Sequence, residues 1–178
     1  MKQLKGKRIL LRQLVLSDAT QILKWGRDSL YQKSAGFNGI SSQKAAEFYV
    51  QHAGSWGIIL QKDQQLIGLV ELKKRGSDPR SGLDQTREVG FLLDRSFWRQ
   101  GYMSEALQLV FDYAFNQLAL TEIWAGTLPE NKASQALLEK FDFAYVYTAA
   151  LPAFLGTGYS ELYYLLKKED WRKSVSQK

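Results

Sequence analysis

Apolar and polar positions change their period several times along the chain, and each change predicts an element. Residues 8–14 are apolar with partial alternation and predict a first strand. Ser17-Asp18 offers an N-cap to a helix whose apolar face holds Ile22, Leu23 and Trp25. Gly36-Phe37-Asn38-Gly39 interrupts the pattern, and Ser41-Ser42 restarts it as a second helix through His52. Residues 56–62 and 66–73 predict two strands joined by the polar turn Asp63-Gln64-Gln65, an antiparallel hairpin. The stretch 76–86, rich in Gly, Ser, Asp and Pro, predicts a loop, and 87–94 a fourth strand.

The clearest period follows. Met103, Ala106, Leu107, Val110, Phe111, Ala114, Phe115 and Leu118 keep the three-and-four spacing of one helix face, so an amphipathic helix is expected over 103–118. Residues 123–127 predict a short strand, and Pro129-Glu130-Asn131 leads into a helix ending near Lys140. Residues 143–148 and 161–168 read as closing strands around Gly156-Thr157-Gly158. The order β-α-α-β-β-β-α-β-α-β-β implies an α+β fold, a mixed sheet with helices packed on it. A length of 178 residues without internal repeat or linker predicts one domain over 1–178. Such a chain can bury a core without help from disulfides or metal.

Composition removes several chemistries. There is no cysteine, so a disulfide scaffold, thiolate zinc site, iron–sulfur cluster and cysteine nucleophile are excluded. The single histidine, His52, leaves no His-rich metal cluster, and no metal site is expected. The basic start at 1–8 is followed by only three apolar residues, too few for a signal peptide, and no run nears the length of a membrane span. A cytoplasmic protein with no membrane partner is the expectation. Net charge is +6, which favours anionic ligands such as phosphates, nucleotides or RNA without choosing among them; Lys73-Lys74-Arg75 is the longest basic block, and DNA is not expected as a partner.

The most informative stretch runs from Glu88 to Leu107. A strand enters a short turn, and Gly101 opens the long helix, whose first N–H groups and positive dipole end suit a phosphate. Gly101 permits close approach of backbone to an anion, and Arg99 adds charge; the plainer reading is that Gly101 is only a turn residue.

Trp98-Arg99-Gln100-Gly101-Tyr102-Met103 resembles the Gln/Arg-x-x-Gly-x-Gly/Ala motif of the GNAT N-acetyltransferase superfamily. The wider string 97–107 looks most like the branch that acetylates ribosomal-protein N-termini, the RimJ/RimL type. Residues 129–143 resemble that branch's Asn-x-x-Ser segment and Glu-Lys-x-Gly-Phe ending, and 8–14 with Ser17-Asp18-Ala19 resemble its opening. Three departures stand out: Trp98 in place of Gln or Arg, Met103 in place of a small residue that would leave the pyrophosphate turn less crowded, and Asp142 in place of glycine, where a left-handed conformation is tolerated.

The resemblance implies a GNAT fold, a mixed and mostly antiparallel sheet of six to seven strands with about four helices on both faces. It implies acetyl-CoA as co-substrate, with Phe91, Leu92 and Leu93 pairing with the pantetheine arm and amides of Arg99, Gln100, Gly101, Tyr102, Met103 and Ser104 holding the pyrophosphate. By resemblance Asn131 contacts the cofactor, although it also suits a helix cap, and Ser134 hydrogen-bonds or protonates the departing thiolate. Glu88 is the leading candidate base, acting through a water, with Glu71 second. Each carboxylate also reads as a strand-edge ion-pair partner, and His52 as structural. An α-amine with a pKa of about 7.8 costs about 1 kcal/mol to deprotonate at neutral pH, against about 4.6 for lysine. A modest base therefore favours a protein N-terminal α-amine, with small amines open. Without cysteine there is no acetyl-cysteine relay, so transfer through a ternary complex is expected. A ribosomal protein and a second copy of this chain stay open as partners. A non-catalytic CoA-binding module and a basic ribosome- or RNA-associated protein are the alternatives.

Overall fold

Strand β3 (Ser55–Leu60) shows how the sequence places its layers, because all six of its residues are buried. Alternation sends Ile59 to one face, where it joins Ala19, Ile22, Trp25, Ala46 and Val50 in a single apolar cluster. Trp56 points to the other face, its ring edge-on to Tyr113 at 5.9 Å. A strand so covered carries no alternation in its sequence, which is why Ser-Trp-Gly-Ile-Ile-Leu reads as a continuous apolar run.

The computed structural model describes residues 2–75, 83–150 and 160–171. These form two compact units, one of residues 1–72 with 90–113 and one of 73–89 with 114–178. The first carries β1 (Leu4–Lys5), β2 (Ile9–Gln13), α1 (Ala19–Arg27), α2 (Ser29–Ser34), α3 (Gln43–His52), β3, most of β4 (Leu66–Lys74), the end of β5 (Thr86–Leu93) and most of α4 (Tyr102–Asn116). Strands β1 to β4 pair antiparallel in sequence order. The second carries the start of β5, β6 (Glu122–Thr127), α5 (Lys132–Lys140), β7 (Ala144–Ala150) and β8 (Ser160–Lys167). There β5 pairs parallel with β6 over Thr86–Glu88, and β8 lies antiparallel between β6 and β7. The sheet is thus mixed and mostly antiparallel, as expected, with eight strands rather than six or seven and five α-helices rather than about four among the described residues.

The extra elements have local causes. β1 is two residues long, below what any pattern reveals. α1 and α2 read as one helix, but Asp28 is extended between them and its carboxylate caps α2 by accepting the Leu30 N–H at 2.9 Å. Asp18, expected as the cap of α1, instead accepts the Val15 N–H and bonds from Arg12 Nη1 and Nη2, at 2.7 and 3.0 Å, and closes the turn that precedes the helix. Ser42 does cap α3, accepting the Ala45 N–H. α4 stops at Asn116, where Ala119 turns to φ +54° and the Leu120 N–H reaches back to the Ala114 carbonyl, so Leu118 is exposed. Its other apolar-face residues, Met103 through Phe115, are buried.

Candidate functional site

The turn between β5 and α4 is fixed from below by one buried carboxylate. Asp94 accepts the Trp25 indole N–H at 2.9 Å, the Gln21 amide at 3.1 Å and the Ser96 main-chain N–H at 3.0 Å. Burial raises its carboxyl, but these bonds outweigh that and hold it below the usual value. Next to it the Tyr31 hydroxyl accepts the Arg95 N–H. Beyond the short turn Arg95–Phe97, the backbone is left-handed at Arg99 (φ +59°) and again at Gly101 (φ +79°). Left-handed residues in such a turn aim successive N–H groups into one concavity, the geometry of an anion nest. The first helical bond of α4 runs from the Glu105 N–H to the Gly101 carbonyl at 3.0 Å, so the amides of Tyr102, Met103 and Ser104 precede the ladder.

Arg8 completes this corner, and nothing local in the sequence pointed to it. Its Nε donates to Glu105 Oε2 at 2.8 Å, its main-chain N–H to Glu105 Oε1 at 2.8 Å, and its Nη1 to the Gln100 carbonyl at 2.8 Å. The guanidinium also stacks on the Tyr102 ring, 4.4 Å from its centroid. A Cβ at Gly101 would stand 3.3 Å from Arg8 Nη2. The residue just before β2 thus brings a cation to the mouth of a helix more than ninety positions away.

Glu105 is tuned by the same contacts. Burial raises its carboxyl, while the Arg8 main-chain and side-chain bonds and the Arg8 charge together hold it low. A carboxyl lowered in the folded state stabilises it above the unfolded value of about 4.3 and loses that contribution as pH falls through the folded value. Urea midpoints are therefore expected to drop between about pH 5 and about pH 3, and to drop less in Glu105→Gln. Parallel pH profiles for the two proteins would refute the coupling.

The other expected residues divide between the units. In the first, the Leu92 side chain is buried and its carbonyl is turned toward Gly68, where a Cβ would collide with it. The Leu93 carbonyl accepts the half-exposed Trp98 indole N–H at 2.8 Å, which explains an aromatic residue at that position. Met103 does not crowd the turn: its side chain is buried on the apolar face of α4. Glu71 lies across Gly90, where a Cβ would meet its Oε1 at 2.7 Å, and Ser55 Oγ sits 3.4 Å from its Oε2. Ser55 also contacts the Tyr49 hydroxyl, which burial, with the Glu71 charge, pushes up. His52 donates its Nδ1–H to the Phe48 carbonyl, 2.8 Å away, and stacks on Phe48, a structural role.

In the second unit, Glu88 is the register partner of Trp124. Asn131 caps α5, its Oδ1 accepting the Ser134 N–H at 3.1 Å, and Ser134 stands half-buried in the first turn. Gln135 pins the preceding loop by donating to the Leu128 and Pro129 carbonyls. Asp142 adopts φ +61°, the left-handed turn expected of it. Of the loop expected over 76–86, residues 76–82 lie outside the described residues, as do 151–159 with the expected Gly156-Thr157-Gly158 connection. Among the described residues no three His, Asp or Glu side chains gather as a metal site, and no helix is long and apolar enough to cross a membrane.

A family profile described as an acetyltransferase (GNAT) domain matches residues 8–144. The probable N-acetyltransferase YjcK of Bacillus subtilis (strain 168) is 33% identical over 157 residues, which cover 79% of this chain and 82% of that protein. The uncharacterized N-acetyltransferase YnaD of the same organism is 25% identical over 172 residues, covering 93% and 96%. Among solved structures, a GNAT-family acetyltransferase from Bacillus anthracis superposes with a TM-score of 0.83 at 23% identity, covering 94% of this chain and 99% of that one. The ribosomal-protein-S5-alanine acetyltransferase from Vibrio fischeri superposes with a TM-score of 0.72 at 17% identity, covering 96% and 99%. At such identities the superpositions show a shared fold.

Proposed function

The chain belongs to the GNAT acetyltransferase family and is an acyl-CoA-dependent acetyltransferase, and from that premise we propose that it transfers acetyl from acetyl-CoA directly to a primary amine, preferring a protein N-terminal α-amine. The observation that carries the donor half of this reading is the left-handed turn at Arg99 and Gly101 before α4, with Arg8 beside it. Amides of 99–104 and the Arg8 guanidinium suit a diphosphate, and the glycine leaves room for it. Phe91 and Leu93 offer strand-edge groups to the amides of the pantetheine arm, while Leu92 anchors the strand in the core. Asn131 holds the start of α5 so that Ser134 presents its hydroxyl.

Acetyl-CoA supplies a thioester carbonyl. The amine nitrogen forms a bond to that carbon, the carbon–sulfur bond breaks, and the amine's proton passes to Glu88 through a water. Ser134 donates a hydrogen bond or its proton to the departing thiolate. Transfer is direct because the chain has no cysteine to carry the acetyl group. The Vibrio fischeri protein is named for ribosomal protein S5 alanine, which makes a ribosomal-protein N-terminus a concrete member of the acceptor class. The family's chemistry favours this enzyme over a non-catalytic CoA-binding module, and we place the reaction in the cytoplasm.

Titration calorimetry with CoA and a thiol-release assay over N-terminal peptides and small amines test the reading. Glu88→Gln is expected to lower kcat about a hundredfold while the CoA affinity measured by calorimetry holds within about twofold. A wild-type protein that does not bind CoA overturns the donor assignment, and full activity in Glu88→Gln passes the base role to Glu71.

A further inference from the structure

On β6, β7 and β8 of the second unit lies a cluster of rings and charges that the donor site does not use. Antiparallel register sets Gly126 opposite Tyr163, Trp124 opposite Leu165 and Tyr147 opposite Tyr163, so these residues share one sheet face. Tyr147 and Tyr163 stack with centroids 5.0 Å apart, and Trp124 lies 6.2 Å from Tyr147. The Arg75 guanidinium rests on this surface, 4.1 Å from the Trp124 ring centroid and 5.7 Å from that of Tyr163.

Carboxylates border the rings. Glu161 Oε2 accepts the Tyr163 hydroxyl at 2.9 Å, and the same side chain crosses Gly126, where a Cβ would come within 2.5 Å of Oε1. Any residue larger than glycine at 126 would expel it. Burial, the Glu161 bond and the charges of Glu161 and Glu88 push the Tyr163 phenol far up, so it stays neutral. Arg75 is incompletely satisfied in this position: its Nη1 is buried and finds no hydrogen-bond acceptor among the described residues. Buried guanidinium nitrogens ordinarily have acceptors, whereas ring faces and carboxylates hold any cation of suitable size.

We propose that this face seats a second, non-reacting cationic group of the amine acceptor, which displaces Arg75 from the Trp124 and Tyr163 rings. The inference rests on the amine-acceptor reading above and adds the acceptor's class: a primary amine bearing a further ammonium or guanidinium group. The reacting amine must be neutral to attack, so charge recognition falls to the other group. Glu161 supplies the counter-charge, and Glu88, the candidate base, is the register partner of Trp124 in the same unit.

Two matched pairs test this on the full chain with acetyl-CoA: the peptide amides Ser-Arg-Gly and Ser-Gln-Gly, and 1,4-diaminobutane against butylamine. The dibasic member of at least one pair is expected to have a kcat/KM about tenfold higher, with the difference in KM, and the pair that shows it identifies the source of the cation. Glu161→Gln, which is isosteric, and Trp124→Leu are each expected to bring that ratio close to one, and Arg75→Gln to lower the dibasic KM. Equal use of monobasic and dibasic acceptors overturns the seat and leaves amine acetylation standing. Calorimetric preference for the dibasic probe by CoA-loaded protein, without turnover of either, supports the seat and overturns amine acetylation. A preference that survives Glu161→Gln and Trp124→Leu overturns the seat.

Discussion

Gly101→Val is expected to weaken CoA binding about a hundredfold and to lower kcat/KM at least as far. Valine is β-branched and strained at φ +79°, so the backbone must rotate to admit it. Rotation re-aims the amides of Tyr102 and Met103, and the new Cβ presses on Arg8 Nη2, only 3.3 Å from where it would stand. Both groups proposed to hold a diphosphate are disturbed at once. Gly101→Ala, with the same Cβ but no branching, is expected to fall between wild type and Val. Calorimetry with CoA reads the loss, and circular dichroism checks that α4 persists. A Val variant that binds CoA within threefold of wild type would remove the turn from the donor site.

Asp94→Ala carries the second large effect, on stability. The substitution strands the N–H of the fully buried Trp25 and deletes the cap on Ser96 in one step. An unsatisfied buried donor costs about 1–3 kcal/mol and a lost cap about 1, so a loss of about 3 kcal/mol is expected in urea denaturation. Asp94→Asn should recover part of it, because an amide oxygen still accepts one of these N–H groups. A loss below about 1 kcal/mol would mean that the turn before α4 is held by other contacts. The same carboxylate links the core of the first unit to the Arg95–Phe97 turn, so CoA affinity should weaken alongside stability.

Legibility in the sequence followed the range of the interaction concerned. The α4 period, the β3–β4 hairpin, the helix restart at Ser41-Ser42 and the Asn131 cap depend on neighbours within a few positions, and each stood in the residue pattern. Gly101 and Asp142 were readable too, because a left-handed backbone restricts the residue at its own position. Elements set by small energy differences were not. The division of α1 from α2 turns on the extended conformation of Asp28 and its single cap bond, and no spacing rule separates that from one longer helix. Met103 illustrates the opposite error: its residue type suggests crowding of the turn, but helical spacing had already assigned it to the buried face with Ala106 and Val110.

The amino-acid order by itself determined an α+β chain in which a glycine opens one long amphipathic helix, since period, capping and glycine stereochemistry act locally. Only the tertiary structure decided which charges stand around the residues so placed. It brought Arg8 to Gly101, put Asp94 beneath Trp25, laid Glu161 across Gly126 and set Arg75 on Trp124. Those pairings join strands and helices far apart in the chain, and they form only when burial of apolar faces has fixed one register among many.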